Sequence, residues 1–110
     1  MKKNENYLER IPKRNKTISW SEKDGAVSLE IENKGIMNRV MQLLFKKPKI
    51  SYVHLDEMGS FVWPIIDGES DIIKIGEKVK AHFGENAEPL YERLVTFFNI
   101  LESYGFINWN

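Results

Sequence analysis

Cysteine is absent from the chain. That removes disulfides, thiolate metal sites and cysteine nucleophiles in one step. Histidine is scarce: His54 and His82 are the only two. His54 falls in a predicted strand and His82 near a helix end, where a cation is favourable. Neither belongs to a spaced set of metal ligands, so no metal is expected. No Ser-His-Asp arrangement, P-loop or G-x-G-x-x-G occurs. Catalysis by this chain is not expected, and no cofactor is implied. No apolar run approaches the ~18 residues that a membrane span needs. The opening "MKKNENYLER" has no apolar core and does not read as a signal peptide, so a cytoplasmic location is the expectation.

What remains describes an ordinary domain. The 110 residues suffice for one core and hardly for two. Apolar residues make up 42% and charged residues 29%, a balance typical of folded chains. The net charge of zero hides a polarity. Residues 1–50 carry twelve Lys/Arg against six Asp/Glu, whereas residues 51–110 carry four against ten.

Residues 1–16 are largely polar and basic, and they are expected to form a flexible tail ahead of a single domain over 17–110. "TISW" and "AVSLEIE" predict two strands. In the second, Val27, Leu29 and Ile31 alternate with Ala26, Ser28, Glu30 and Glu32. The intervening "SEKDG" supplies a hairpin turn. In "GIMNRVMQLLF", Ile36, Val40, Leu43 and Leu44 form a helical stripe that Met37 and Met41 widen. This amphipathic helix, about 36–45, either covers the open face of the sheet, docks on a partner or lies on an anionic membrane. "KISYVHL" is β-branched and aromatic, a third strand.

Three helices follow. The first covers about 57–66, with Asp56 as its N-cap. Ser70 is the expected cap of the second, with Asp71 in its first turn, a stripe of Ile72, Ile75, Val79 and Phe83, and Gly84 just past its end. Pro89 suits the start of the third, which runs to about Tyr104 before Gly105. "FINW" ends the chain as an extended piece. The first helix carries Met58, Phe61, Val62, Trp63, Ile65 and Ile66 around nearly its whole circumference, so it must be covered from more than one side. Pro64 is expected to end or kink its last turn, because it has no amide to donate. The order β-β-α-β-α-α-α predicts a winged helix-turn-helix-like α+β fold. A small three-stranded antiparallel sheet packs on a three-helix bundle, with an extra helix inserted between strands 2 and 3.

The pattern Leu55-Asp56, an apolar run, Asp67-Gly68, an Ile-rich helix closing on Phe83-Gly84, and Leu101 through Gly105-Phe106-Ile107 resembles the PqqD family, named for pyrroloquinoline quinone biosynthesis. The likeness covers about residues 50–107, and segment 33–48 departs from the compact members. The resemblance implies a peptide-binding accessory protein rather than an enzyme. Such a module takes the leader of a ribosomally made precursor peptide and presents it to a modifying enzyme, often of the radical S-adenosylmethionine type. The leader is added as a strand beside the third strand, in a groove walled by the last helix. The matching positions are Ile50, Ser51, Tyr52, Val53 and His54 on the strand. On the helix, Leu90, Leu94, Phe97, Leu101 and Tyr104 read as core. A second row, Tyr91, Val95 and Phe98, either lines the groove or packs on the central helix or on a twin subunit.

Two other functions fit the pattern. One is a small dimeric scaffold, a homodimer without a peptide ligand. The other is a DNA-binding winged helix. Against DNA, residues 69–102 hold Lys74, Lys78, Lys80 and Arg93 but seven carboxylates, a field that repels phosphate, so nucleic acid is not an expected partner.

Overall fold

The computed structural model describes residues 6–33 and 49–110. The helix expected over 36–45, and with it the insertion between strands 2 and 3, lies outside the described residues.

A short β1 (Pro12–Arg14) precedes β2 (Ser19–Lys23) and β3 (Ala26–Asn33). Next come β4 (Lys49–His54), α1 (Glu57–Ile65), α2 (Ile72–Phe83), α3 (Leu90–Ser103) and β5 (Ile107–Trp109). Strands β2, β3 and β4 form an antiparallel sheet in that order. Lys23 pairs with Ala26, leaving Asp24-Gly25 as a two-residue turn with φ of 52° and 82°. Positive φ at both central residues suits the right-handed twist of a tight hairpin, and Asp-Gly is among the pairs that tolerate it best.

One face of the sheet is buried. Val27 and Leu29 are fully enclosed, and Trp20, Ile31, Val53 and Leu55 pack against the same core. The helix α1 lies across this face. Its Met58, Val62 and Trp63 are buried, together with Ile66 just beyond its end. On its other side Phe61 stacks on His82 of α2, ring centres 4.4 Å apart. The expectation of a helix covered from several sides therefore holds. Asp56 caps it by accepting from the Gly59 amide at 2.8 Å. Pro64 lies in its last turn, and Ile66 is already extended.

Ser60 joins α1 to the sheet. The Leu55 amide donates to the Val27 carbonyl at 2.9 Å, the first bond of a close antiparallel pair. The Val27 amide instead donates to Ser60 Oγ at 2.9 Å, and that hydroxyl donates to the Leu55 carbonyl at 3.2 Å. The hydroxyl thus bridges the two backbone groups where the second bond of the pair would form. Ser60 is 5% exposed, so these partners replace water for it.

Two expectations are corrected. Asp71, not Ser70, caps α2 by accepting from the Lys74 amide at 2.9 Å. Ser70 belongs to the preceding turn, where Asp67 accepts from the amides of Glu69 and Ser70. Asp67 reaches two amides at once and so holds the turn. The next carboxylate is then placed at the helix start, where it satisfies an orphan donor.

The second correction concerns the N-terminal segment. Residues 6–16 are folded rather than a tail. Pro12, Lys13 and Arg14 pair antiparallel with Trp109, Asn108 and Ile107, joining β1 to β5 in a separate two-stranded sheet. Three further bonds tie this segment down. The Ile72 amide donates to the Arg10 carbonyl, the Asn110 amide to the Ile11 carbonyl, and the Asn15 amide to the Phe106 carbonyl. Arg10 lies over the Tyr7 and Trp109 rings. Two of the basic residues, Arg10 and Arg14, rest on aromatic faces and the strand pairs with the chain's other end, neither of which shows in local composition.

Ser60→Ala removes the hydroxyl bridge and leaves the buried Val27 amide without an acceptor. The expected loss is about 1–3 kcal/mol, read from urea unfolding monitored by tryptophan fluorescence.

Candidate functional site

The sheet has two edges, and β4 forms one of them. Close pairs alternate along an antiparallel ladder. With Val27 and Leu55 as one such pair, Leu29 with Val53 and Ile31 with Ser51 are the next. Val53 and Ser51 therefore direct their backbone groups at β3. Tyr52 and His54, opposite Glu30 and Ser28, direct theirs away from it. Among the described residues no strand pairs with that outer side, and β5, the chain's own last strand, is engaged with β1 instead.

Side chains alternate across the same strand. Val53 and Leu55 enter the core. Tyr52, 55% exposed, stacks on His54 across the solvent face, and His54 Nδ1 lies 2.8 Å from Ser28 Oγ. Ile50 occupies β4 opposite Glu32. Strand β4 thus offers backbone at its edge and a small aromatic surface on one face.

A groove of about 380 Å³ opens where β4 ends and α1 begins. Met58 forms one wall. Phe97 and Ile100 form the other, with Thr96 and Arg93 beside them. Gly59 makes the approach of α3 feasible: a Cβ there would stand 2.9 Å from Phe97 Cε1 and 3.3 Å from Leu55 Cβ. The Arg93 guanidinium donates to the Asn86 carbonyl at 2.9 Å, which anchors the groove's polar end to the turn before α3.

The row Tyr91, Val95 and Phe98 does not line this groove. Phe98 is fully buried, its ring centre 6.3 Å from that of Trp109. Tyr91 lies against α2, where a Cβ on Gly76 would meet its ring at 2.6 Å. Its phenol is pushed up by burial first and by the nearby Glu77, Asp71 and Glu88 carboxylates next, so it stays a neutral hydroxyl. At 100° per residue, Val95 falls between Tyr91 and Asn99, and Asn99 accepts from the Tyr7 hydroxyl. That flank is partly covered by α2 and the N-terminal segment, with Tyr91 and Val95 half-buried and Asn99 exposed.

The groove lies on the opposite flank, where Phe97 and the 49%-exposed Ile100 stand. Tyr104, expected in the core, is 65% exposed. The core stripe of α3 is Leu90, Leu94, Phe98 and Leu101. Phe97 and Phe98 both fit a helical repeat with Leu90 and Leu94. The choice between them depends on Trp109 and Tyr7, which cover the Phe98 side.

The sheet, the central helix and the two helices behind it define a small α+β domain in which, among the described residues, the outer edge of β4 is unpaired and a groove opens at the start of α1. The chain belongs to the PqqD family: the family model described as coenzyme PQQ synthesis protein D matches residues 39–107. This makes it an accessory protein of coenzyme or peptide-derived biosynthesis. Comparisons with curated proteins and with solved structures returned no match. Among the described residues, no helix is long and apolar enough to cross a membrane.

The two flanks of α3 should separate cleanly on mutation. Phe98→Ala is expected to cost about 3–5 kcal/mol in urea unfolding, as for a buried aromatic. Ile100→Ala should stay within about 0.5 kcal/mol of the parent.

Proposed function

We propose that the protein captures the leader of a ribosomally made precursor peptide by strand addition to β4 and presents the peptide to a modifying enzyme, of the radical S-adenosylmethionine type. The observation that carries this reading is the outward backbone of Tyr52 and His54, next to the Met58–Phe97–Ile100 groove. An added strand gains main-chain hydrogen bonds that any sequence can make. Selectivity then comes from the side chains that reach the groove. Family membership supports the accessory role in coenzyme or peptide-derived biosynthesis.

The contact set differs from the one the resemblance implied. Of the strand half, Ile50 to His54, the outward-facing Ile50, Tyr52 and His54 are retained for their backbone. On the helix, Phe97 and Ile100 replace Tyr91, Val95 and Phe98, and Met58 faces them from α1.

Tyr52→Pro tests the strand half directly. Proline there removes an amide that points away from β3, so the β3–β4 ladder keeps its bonds. With peptides from the short reading frames flanking the gene, ¹⁵N-labelled protein should show amide shifts at Tyr52, His54, Met58, Phe97 and Ile100. The Tyr52→Pro protein should keep a folded spectrum and lose those shifts. Equal binding by parent and variant would refute strand addition at β4. Sedimentation of the free protein checks the competing use of the edge, pairing with a second copy, which should raise the mass with concentration.

A further inference from the structure

A second cleft, of about 300 Å³, lies on the far side of the sheet from β4. Strand β1 and the residues after it form one wall, Trp20 of β2 another, and Trp63 with Ile66 at the end of α1 its floor. The wall from β1 brings three cations, Lys13, Arg14 and Lys16. The Arg14 guanidinium lies over both indoles, 5.3 Å from the Trp20 ring centre and 6.0 Å from that of Trp63. The two rings meet edge to face, 6.2 Å apart.

These groups have little to neutralise them. Among the described residues no carboxylate forms an ion pair with Lys13, Arg14 or Lys16, the only such pair being Lys80–Glu88 on α2 and the turn before α3. Asp67 is the one acidic residue on the cleft. Its carboxylate accepts from the Glu69 and Ser70 amides at 2.9 and 2.8 Å and from the Ser70 hydroxyl at 3.2 Å. Those bonds hold it ionised and orient it toward its own turn. Trp63 is fully buried, and among the described residues its Nε1 hydrogen has no acceptor, a condition it shares with Trp109 away from the cleft. A buried donor left unmatched is costly and uncommon, and the Trp63 indole that carries one also lines the cleft. A guanidinium resting on π faces keeps its planar donor fork free for a carboxylate, which it fits in bidentate fashion.

We propose that this cleft is a second binding site, for a small organic carboxylate with a planar apolar body. The anionic end pairs with Arg14 and the flanking lysines, and the body lies against Trp20 and Trp63. The cleft's volume sits at the lower end of small-molecule sites, so it suits a single ring better than a polymer. Its two rings favour a carboxylate that carries an aromatic group over a fully hydrated inorganic anion. The site makes no use of the β4 edge and stands whether or not a peptide binds there.

The three indole N–H resonances of the ¹⁵N-labelled protein, from Trp20, Trp63 and Trp109, provide the readout. Benzoate, added at constant ionic strength, should move the Trp20 and Trp63 signals saturably and leave Trp109 in place. The neutral isostere benzyl alcohol and inorganic phosphate should each do much less. Arg14→Gln should weaken benzoate binding about tenfold or more, the loss of a charge-assisted pair. Lys16→Gln, at an exposed position, should weaken it to a smaller degree and serves should Arg14→Gln disturb β1. Non-saturating shifts would overturn the proposal. So would equal responses to benzoate and benzyl alcohol or phosphate, or unchanged affinity in both variants.

Discussion

The enclosure of α1 is the constraint on which the rest of the structure depends. Its Met58, Val62 and Trp63 are buried and Phe61, Pro64 and Ile65 half-buried, leaving Glu57 as its exposed residue, so a sheet and two helices must gather around it. The Ser60 hydroxyl then sets where the sheet sits. It bridges the Val27 amide and the Leu55 carbonyl at the end of the β3–β4 ladder, locking the central helix to the last rung. Asp56, between that rung and the helix, caps the first turn. Within six residues the chain passes from a sheet edge to a core helix, and the apolar groove forms beside that passage because Gly59 lets Phe97 come close.

This arrangement separates two duties of β4. Its inward side chains, Val53 and Leu55, and the backbone of Val53 hold the fold together. The backbone of Tyr52 and His54 does not. A strand that is half structural and half available is what peptide capture by strand addition requires, since binding then need not disturb the core. The same availability is a hazard, because edges pair with other edges. The acidic character of the chain's second half sets the electrostatic setting of the groove, and it disfavours a nucleic-acid partner for α2 and α3.

Much of the fold was legible in the sequence. Alternation located β2 and β3, the apolar circumference identified α1 as central, and Ile72, Ile75 and Val79 marked the buried face of α2. Asp56 was readable as a cap because, of the adjacent Asp56 and Glu57, only aspartate has the short side chain that an N-cap favours. The α2 cap was misread because Ser70 and Asp71 are both good caps, and only the demand of Asp67 for the Ser70 amide decides between them. Strand β1 was illegible for a different reason. Three residues with a proline and two cations carry no period, and their partner lies about ninety residues away. That omission propagated into the site. With Trp109 and Tyr7 unplaced, nothing distinguished Phe97 from Phe98 as the buried aromatic of α3. A pairing of chain ends cannot be deduced from local pattern, and here it selects which aromatic is core and which faces the groove.

Amide hydrogen exchange along β4 tests the central claim most directly. If the outer edge of the strand is available, Tyr52 and His54 exchange quickly in the free protein, whereas Val53, bonded to Leu29, exchanges slowly. Bound peptide should then slow Tyr52 and His54 while leaving Val53 as it was. Equal protection of Tyr52, Val53 and His54 in the free protein would mean that the edge is already filled, and the account of strand capture would fail.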